Sequence, residues 1–242
     1  MESPHSILKK VFGYDSFRPG QEEIVSRLLA GQDVLAVMPT GAGKSICYQV
    51  PALLLPGMTL VVSPLISLMK DQVMALRNAG IPAGCINSSM SLDELRETYR
   101  DARYGAYKLL YVAPERLLTD GFCSLAQELE IPLVAVDEAH CISQWGQDFR
   151  PSYLKIVEFL QRLPRRPAVA AFTATATAQV RADIIRILQL HESETVVTGF
   201  DRPNLRFEVL RPKDKRTALL QLLSERRDKS GIVYLSLIHI SE

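Results

Sequence analysis

The sequence predicts an α/β fold, a mostly parallel sheet flanked by helices. Two observations carry this. Short, near-continuous apolar runs recur along the 242 residues, and amphipathic stretches separate them. Such runs suit parallel strands covered on both faces, and repeated strand–helix alternation brings right-handed crossovers. The strands are expected at Asp33–Met38, Thr59–Ser63, Lys108–Ala113, Leu133–Asp137 and Ala168–Thr173. Helices are expected at Gln21–Ala30, Leu65–Ala79, Ser91–Tyr104 and Ala178–Leu190, and another opens at the Gly41–Ser45 turn. Ligands of such sheets gather at the carboxyl ends of the strands. The chemistry is therefore expected just after Met38, Ser63, Val136 and Phe172.

Composition narrows the function. Lys and Arg number 28 against 27 Asp and Glu, so the formal charge is +1. A near-neutral chain cannot coat nucleic acid by bulk electrostatics, and any such contact must be a local site. Hydrophobic residues at 47% and charged residues at 23% are ordinary globular values. The four cysteines, Cys47, Cys85, Cys123 and Cys141, lie far apart with no C-x-x-C pair, which suits a reducing compartment. No signal-peptide pattern opens the chain, and no apolar run reaches the ~18 residues that span a bilayer. A cytoplasmic protein without membrane contact is expected.

Composition shifts near residue 201. Arg202 to Lys229 carries nine Lys/Arg against four Asp/Glu, and Phe200-Asp201-Arg202-Pro203-Asn204 reads as a turn between units. Beyond it a strand is expected at Leu205–Leu210, a helix at Lys213–Arg227 and a strand from Gly231, the opening of a second α/β unit. Residues 1–200 form the first domain in this reading, and residues 201–234 a linker and the start of the second. Residues 235–242 fit neither and are expected to be a non-native or truncated tail.

Met38-Pro39-Thr40-Gly41-Ala42-Gly43-Lys44-Ser45 follows a strand and opens a helix. Two glycines let successive N–H groups face one point, and the helix N-terminus adds positive potential, so phosphate is stabilised there. Lys44 would neutralise the β- and γ-phosphates, and the Ser45 hydroxyl would ligate Mg²⁺. The strict pattern asks for Gly where Met38 stands, so an ordinary strand-to-helix turn is the competing reading. Downstream, Leu133-Val134-Ala135-Val136 ends in Asp137-Glu138-Ala139-His140. Asp137 would hold Mg²⁺ through its water shell, and Glu138 would orient and deprotonate the attacking water. The competing role of the pair is to cap the next helix. The two elements together point to an ATPase core.

On these residues the chain resembles superfamily 2 helicases, specifically the RecQ family in its bacterial form. That family's phosphate loop does not require the first Gly. Further matching segments are Ser63-Pro64-Leu65-Ile66-Ser67-Leu68-Met69-Lys70-Asp71-Gln72, Tyr111-Val112-Ala113-Pro114-Glu115-Arg116 and Phe172-Thr173-Ala174-Thr175-Ala176. The resemblance runs from about Leu8 through Tyr234, in the family's order. Phe12-Gly13-Tyr14-Asp15-Ser16-Phe17-Arg18-Pro19-Gly20-Gln21 is similar to its adenine-reading motif. Gln21 offers one donor and one acceptor to adenine, and Tyr14 and Arg18 can stack on the base. Without the resemblance, Gln21 reads as a surface residue opening a helix.

Cys141-Ile142-Ser143-Gln144-Trp145-Gly146-Gln147-Asp148-Phe149-Arg150-Pro151-Ser152-Tyr153 is similar to the family's aromatic-rich loop and holds the chain's one Trp. Aromatic faces stack on unpaired bases with little sequence preference. Ser143, Trp145, Phe149 and Arg150 are thus expected to sense DNA, Arg150 touching a phosphate or the ATP site. The alternative packs Trp145 and Phe149 into the core. Thr173 and Thr175 resemble the motif coupling hydrolysis to domain movement, or they serve β-propensity and capping.

The resemblance implies a RecA-like P-loop NTPase lobe and the truncated start of a second such lobe. It implies ATP and Mg²⁺ as cofactors and DNA, single-stranded and forked, as partner. The implied activity is 3′ to 5′ translocation and unwinding, with a nucleoid association in the cytoplasm. An RNA helicase and a non-catalytic nucleotide- or strand-binding fragment are the rival readings. The fragment alone is expected to bind nucleotide with little turnover.

Overall fold

The computed structural model describes residues 2–146, 148–191, 193–199 and 205–234. The chain divides into two units, Met1–Phe200 and Asp201–Glu242. The expected turn at 200–204, the tail at 235–242 and Gln147 of the aromatic loop lie outside the described residues.

The first unit opens with helices α1 (Pro4–Phe12) and α2 (Gln21–Leu29). Strand β1 (Val34–Val37), helix α3 (Lys44–Leu54), β2 (Thr59–Val62), α4 (Ile66–Asn78), β3 (Ala83–Ile86) and α5 (Leu92–Arg103) follow. Then come β4 (Leu109–Val112), α6 (Asp120–Glu128), β5 (Leu133–Val136), α7 (Leu154–Arg162), β6 (Ala168–Thr173), α8 (Ala178–Leu188) and β7 (Glu194–Val197). The seven strands form one sheet in the order β3-β4-β2-β5-β6-β1-β7, every pairing parallel.

Strand alternation sorts the core into two layers. Leu35, Leu60, Val62, Val134 and Val136 face α5, α6, α7 and α8, packing on Phe122, Ile156, Phe159 and Ile184. Val34, Ala36, Val61, Leu133 and Phe172 face the other way, onto Ile24, Leu28, Tyr48 and Met69 of α2, α3 and α4. Residues buried on both faces explain why these strands read as continuous apolar runs.

All five strands expected in the first unit form, within a residue at each end. Two others were not legible. β3 is Ala-Gly-Cys-Ile at one sheet edge, its β-propensity low, and Gly84 is where Tyr107 and Leu110 approach its backbone. β7 is the opposite edge and buries only Val196. Among helices, α1, α6 and α7 also went unread.

Of the second unit, the described part contains helix α9 (Lys215–Glu225), with Asp214 accepting from the Arg216 N–H at its start. The expected strands at Leu205–Leu210 and from Gly231 do not form there. Both segments are unpaired and exposed in the described residues, and an extended segment becomes a strand only by laddering with a neighbour.

Candidate active site

β1 leads into the buried Met38, and the chain then turns sharply. Gly41 and Gly43 take φ of 83° and 80°, the left-handed region open to glycine, and α3 starts at Lys44. The turn aims the amides of the helix start at the carboxyl end of β1. The Lys44 ammonium stands 3.5 Å from the Met38 carbonyl, folded back over the turn. The neighbouring strand is bonded to this point, since the Met38 N–H donates to Thr173 O at 2.9 Å.

The acidic pair follows β5, two strands away with β6 between. The Asp137 N–H donates to Val62 O at 2.9 Å, and the Tyr153 hydroxyl donates to Asp137 O at 2.8 Å. Glu138 adopts φ 47°, an uncommon conformation for a non-glycine residue. Its N–H donates to Asp137 Oδ1 at 3.0 Å. Burial and then the Glu138 charge push the Asp137 carboxyl up to about 6, against the pull of that N–H and of Lys44. Glu138 Oε2 lies 3.3 Å from His140 Nδ1, and the same nitrogen is 3.0 Å from Thr173 Oγ1. The Thr173 hydroxyl donates to Thr175 O at 3.0 Å. A polar chain thus joins Glu138 to Thr173 and Thr175.

Gln21 starts α2 and is 3% exposed, not a surface residue. Its Oε1 accepts the Arg18 N–H at 2.9 Å, and its Nε2 donates to Ala42 O at 3.1 Å and Gly43 O at 2.9 Å. Of the two groups expected to read adenine, the donor is thus engaged by the phosphate turn and the acceptor by the Arg18 backbone in this structure. A Cβ on Gly43 would lie 2.5 Å from Gln21 Nε2, so the two residues fit only as a pair. Arg18 also binds the turn, its guanidinium donating to Gly41 O. Tyr14 is half exposed.

One cavity of about 460 Å³ collects these elements. Tyr14, Arg18, Gln21, Thr40, Gly41, Gly43, Lys44, Ser45, Asp137 and Glu138 all line it. Its lining also holds Tyr48, which the sequence reading did not name, and Tyr111 and Gln72, which were quoted only within matching segments and given no role. The Tyr48 and Tyr111 hydroxyls are 3.3 Å apart, and Gln49 Nε2 reaches Gln72 Oε1 at 3.2 Å. Tyr48 lies one helical turn after Lys44, a spacing that puts both on the same face of α3.

Ser143, Trp145, Phe149 and Arg150 do not line that cavity. Trp145 is 74% exposed, which removes the alternative that packs it in the core, and Phe149 is half-buried. Ser143 is fully buried, its hydroxyl engaged by Asp183. Arg150 pairs with Asp148 at 2.7 Å and donates to Pro64 O at 3.3 Å, tying the loop to the segment after β2.

A family model described as DEAD/DEAH box helicase matches residues 18–184. The chain is 49% identical over 230 residues to the ATP-dependent DNA helicase RecQ of Bacillus subtilis, covering 95% of this chain and 39% of that protein. It is 46% identical to the same-named protein of Haemophilus influenzae over 229 residues, covering 95% and 37%. The chain thus spans about two fifths of the length of these relatives. Among solved structures, a hypothetical ATP-dependent RNA helicase from Sulfolobus tokodaii superposes with TM-score 0.63 at 20% identity, covering 82% of this chain and 57% of that one, a likeness of fold. The phosphate turn and acidic pair, the parallel sheet that unites them and the family match together make the chain a member of the DEAD/DEAH box helicase family, similar to its RecQ-type proteins.

Proposed function

We propose that the chain supplies the nucleotide-binding lobe of an ATP-dependent DNA helicase that tracks 3′ to 5′ along single strands and opens forked duplex. Residues 1–200 are the first RecA-like lobe in this reading, and residues 201–234 lead into a second. The observation that supports it most directly is the convergence of Lys44, Ser45, Asp137 and Glu138 on one cavity. RecQ-type relatives named as DNA helicases favour DNA over RNA.

The site suits Mg²⁺ delivered with the nucleotide. Among the described residues no group of three or more His, Cys, Asp and Glu side chains forms a metal cage. Mg²⁺ usually keeps several waters and takes one or two protein oxygens besides phosphate, and Ser45 and Asp137 offer that set. Burial and then the neighbouring Glu138 charge raise the Asp137 carboxyl, and a bound cation would relieve both. When bound, the ion neutralises charge developing on the phosphates.

The chain's own residues then divide the work. Lys44 and the amides from Gly41 to Ser45 bind the phosphates, and Tyr14 and Arg18 border the base. Glu138 orients water and accepts its proton on the carboxylate. His140 holds that carboxylate in place, and Thr173 and Thr175 carry the loss of phosphate to the strand end. Trp145 and Phe149 meet the unpaired bases, in the cytoplasm and on nucleoid DNA.

Calorimetric titration with ADP and a non-hydrolysable ATP analogue in Mg²⁺ tests the assignment. Lys44→Ala should weaken binding at least roughly tenfold, the weight of one charged hydrogen bond. Unchanged affinity overturns the phosphate-loop reading.

A further inference from the structure

Trp145 is held out in solvent by a turn whose amide ends on a buried side chain. Its N–H donates to Ser143 Oγ at 3.2 Å, and the Ser143 hydroxyl donates to Asp183 Oδ2 at 2.7 Å. Ser143 is fully buried, and Asp183 on α8 is 6% exposed. The other Asp183 oxygen accepts from Arg186 at 2.7 Å, and Arg186 and Ser143 hold its carboxyl below the usual range. A hydroxyl between a carboxylate and an amide donor has one orientation, its hydrogen toward the carboxylate and a lone pair toward the amide.

The far side of the turn is equally constrained. The Gly146 N–H donates to Ser143 O at 3.0 Å, and a Cβ at Gly146 would lie 2.3 Å from His140 O. The turn therefore rests on His140, which bridges Glu138 and Thr173, while its amide is tied to α8, which follows Thr175.

We propose that Asp183 is a positioning residue for strand capture: through Ser143 it fixes the turn that presents Trp145 to an unpaired base, and it fastens that turn to α8. This rests on the DNA-helicase reading above. It gives the loop a second tie to the β6–α8 segment, separate from the one through His140. A base stacking on Trp145 loads the Ser143–Asp183 link, and a shift of α8 re-aims the indole.

The sole Trp makes the test direct. Trp145 fluorescence anisotropy and acrylamide quenching are recorded on the 242-residue chain, without DNA and then during titration with oligo-dT. Asp183→Ala should lower the anisotropy, increase quenching and weaken oligo-dT binding roughly tenfold, on the scale of one stacked base. Asp183→Asn, whose amide oxygen still accepts from Ser143, should restore the anisotropy. Affinity for ADP should be unchanged in both. Ser143→Ala gives the same loosening by a smaller deletion, should Asp183→Ala fail to fold. Wild-type anisotropy in both alanine variants, or loosening that Asp183→Asn does not rescue, overturns the positioning role. The DNA-free arm reads the link alone. A wild-type chain that binds ADP but shows no Trp145 response to oligo-dT overturns the DNA reading, and the strand-capture role with it.

Discussion

The Nδ1 atom of His140 lies 3.0 Å from the Thr173 hydroxyl, so the loop after β5 and the end of β6 share a hydrogen bond beside Glu138. Adjacent parallel strands put these two residues together, whatever their distance in sequence. The bond leaves Glu138 with an oriented partner, and it makes the state of β6 felt at the carboxylate that would handle water.

Thr173→Val keeps the shape and removes the hydroxyl. Thr175 N–H and its carbonyl lose their partner there, and His140 keeps only Glu138. Urea denaturation should show a loss of about 1–2 kcal/mol, the cost of unmade buried hydrogen bonds. Affinity for ADP should hold within about twofold, because the residue lies outside the cavity lining. A stability equal to wild type would mean that the chain from Glu138 to Thr175 carries no energy.

Asp137 is a case where the site works against the fold. Its carboxyl is raised in the folded chain to about 6 from 3.8. A raised acid binds its proton more tightly when folded, so the ionised form costs stability above pH 6, and the cost vanishes below about pH 4. In metal-free buffer at pH 8, Asp137→Asn should therefore stabilise the protein by something on the order of 2 kcal/mol. The gain should shrink as pH falls through 6 and disappear near 4. Thermal melts across that range in EDTA check it, and a gain that is flat with pH would refute the desolvation argument. The same substitution should abolish Mg²⁺-dependent tightening of nucleotide binding.

At the opposite end of the sheet, Asp33 accepts four bonds. Arg166 approaches with both guanidinium nitrogens at 3.1 and 2.6 Å, and the amides of Val169 and His191 at 2.8 and 2.7 Å. The carboxylate is buried just before β1 and pins β6 and the segment before β7 to it. Asp33→Ala leaves the half-exposed Arg166 and two amides without their acceptor. It should cost about 2–4 kcal/mol in chemical denaturation, chiefly from the amide donors left unsatisfied. ADP affinity should be unchanged under native conditions, since the cavity lies at the other strand ends. A loss below 1 kcal/mol would mean that water replaces the carboxylate.

How much of this was legible depends on what each residue touches. The central strands announced themselves because both their faces are buried, which leaves no polar position in Leu133–Val136 or Val34–Val37. The edge strands β3 and β7 lack that constraint. Gly41, Gly43 and Lys44 follow a spacing set by local backbone geometry, and Asp137 ends a strand, so both could be read along the chain. Asp183 could not. Its meaning comes from Ser143, 40 residues earlier, and no local pattern links them. Gln21 shows the converse, a residue noticed for the donor and acceptor it offers adenine, whose amide here bonds two carbonyls of the phosphate turn and the Arg18 N–H. Leu205–Leu210 has the composition of a strand, yet pairing decides, and composition cannot supply a neighbour.

The buried thiols give a last prediction, independent of any ligand. Burial pushes Cys47 up to about 12 and Cys141 up to about 11. Cys47 packs under the phosphate turn, its sulfur 3.9 Å from that of Met38, and Cys141 sits in the loop after the acidic pair, with Asp148 adding to the rise. The thiolate is the reactive form, so at pH 8 both sites have almost none of it and no access to reagent. Iodoacetamide on the native chain should leave Cys47 and Cys141 unmodified, whereas all four cysteines should react in denaturant. Peptide mass spectrometry reads each site separately. Alkylation of Cys47 in the native protein at the rate seen in denaturant would mean that the phosphate turn opens on its own, and the packing of α3 described above would be wrong.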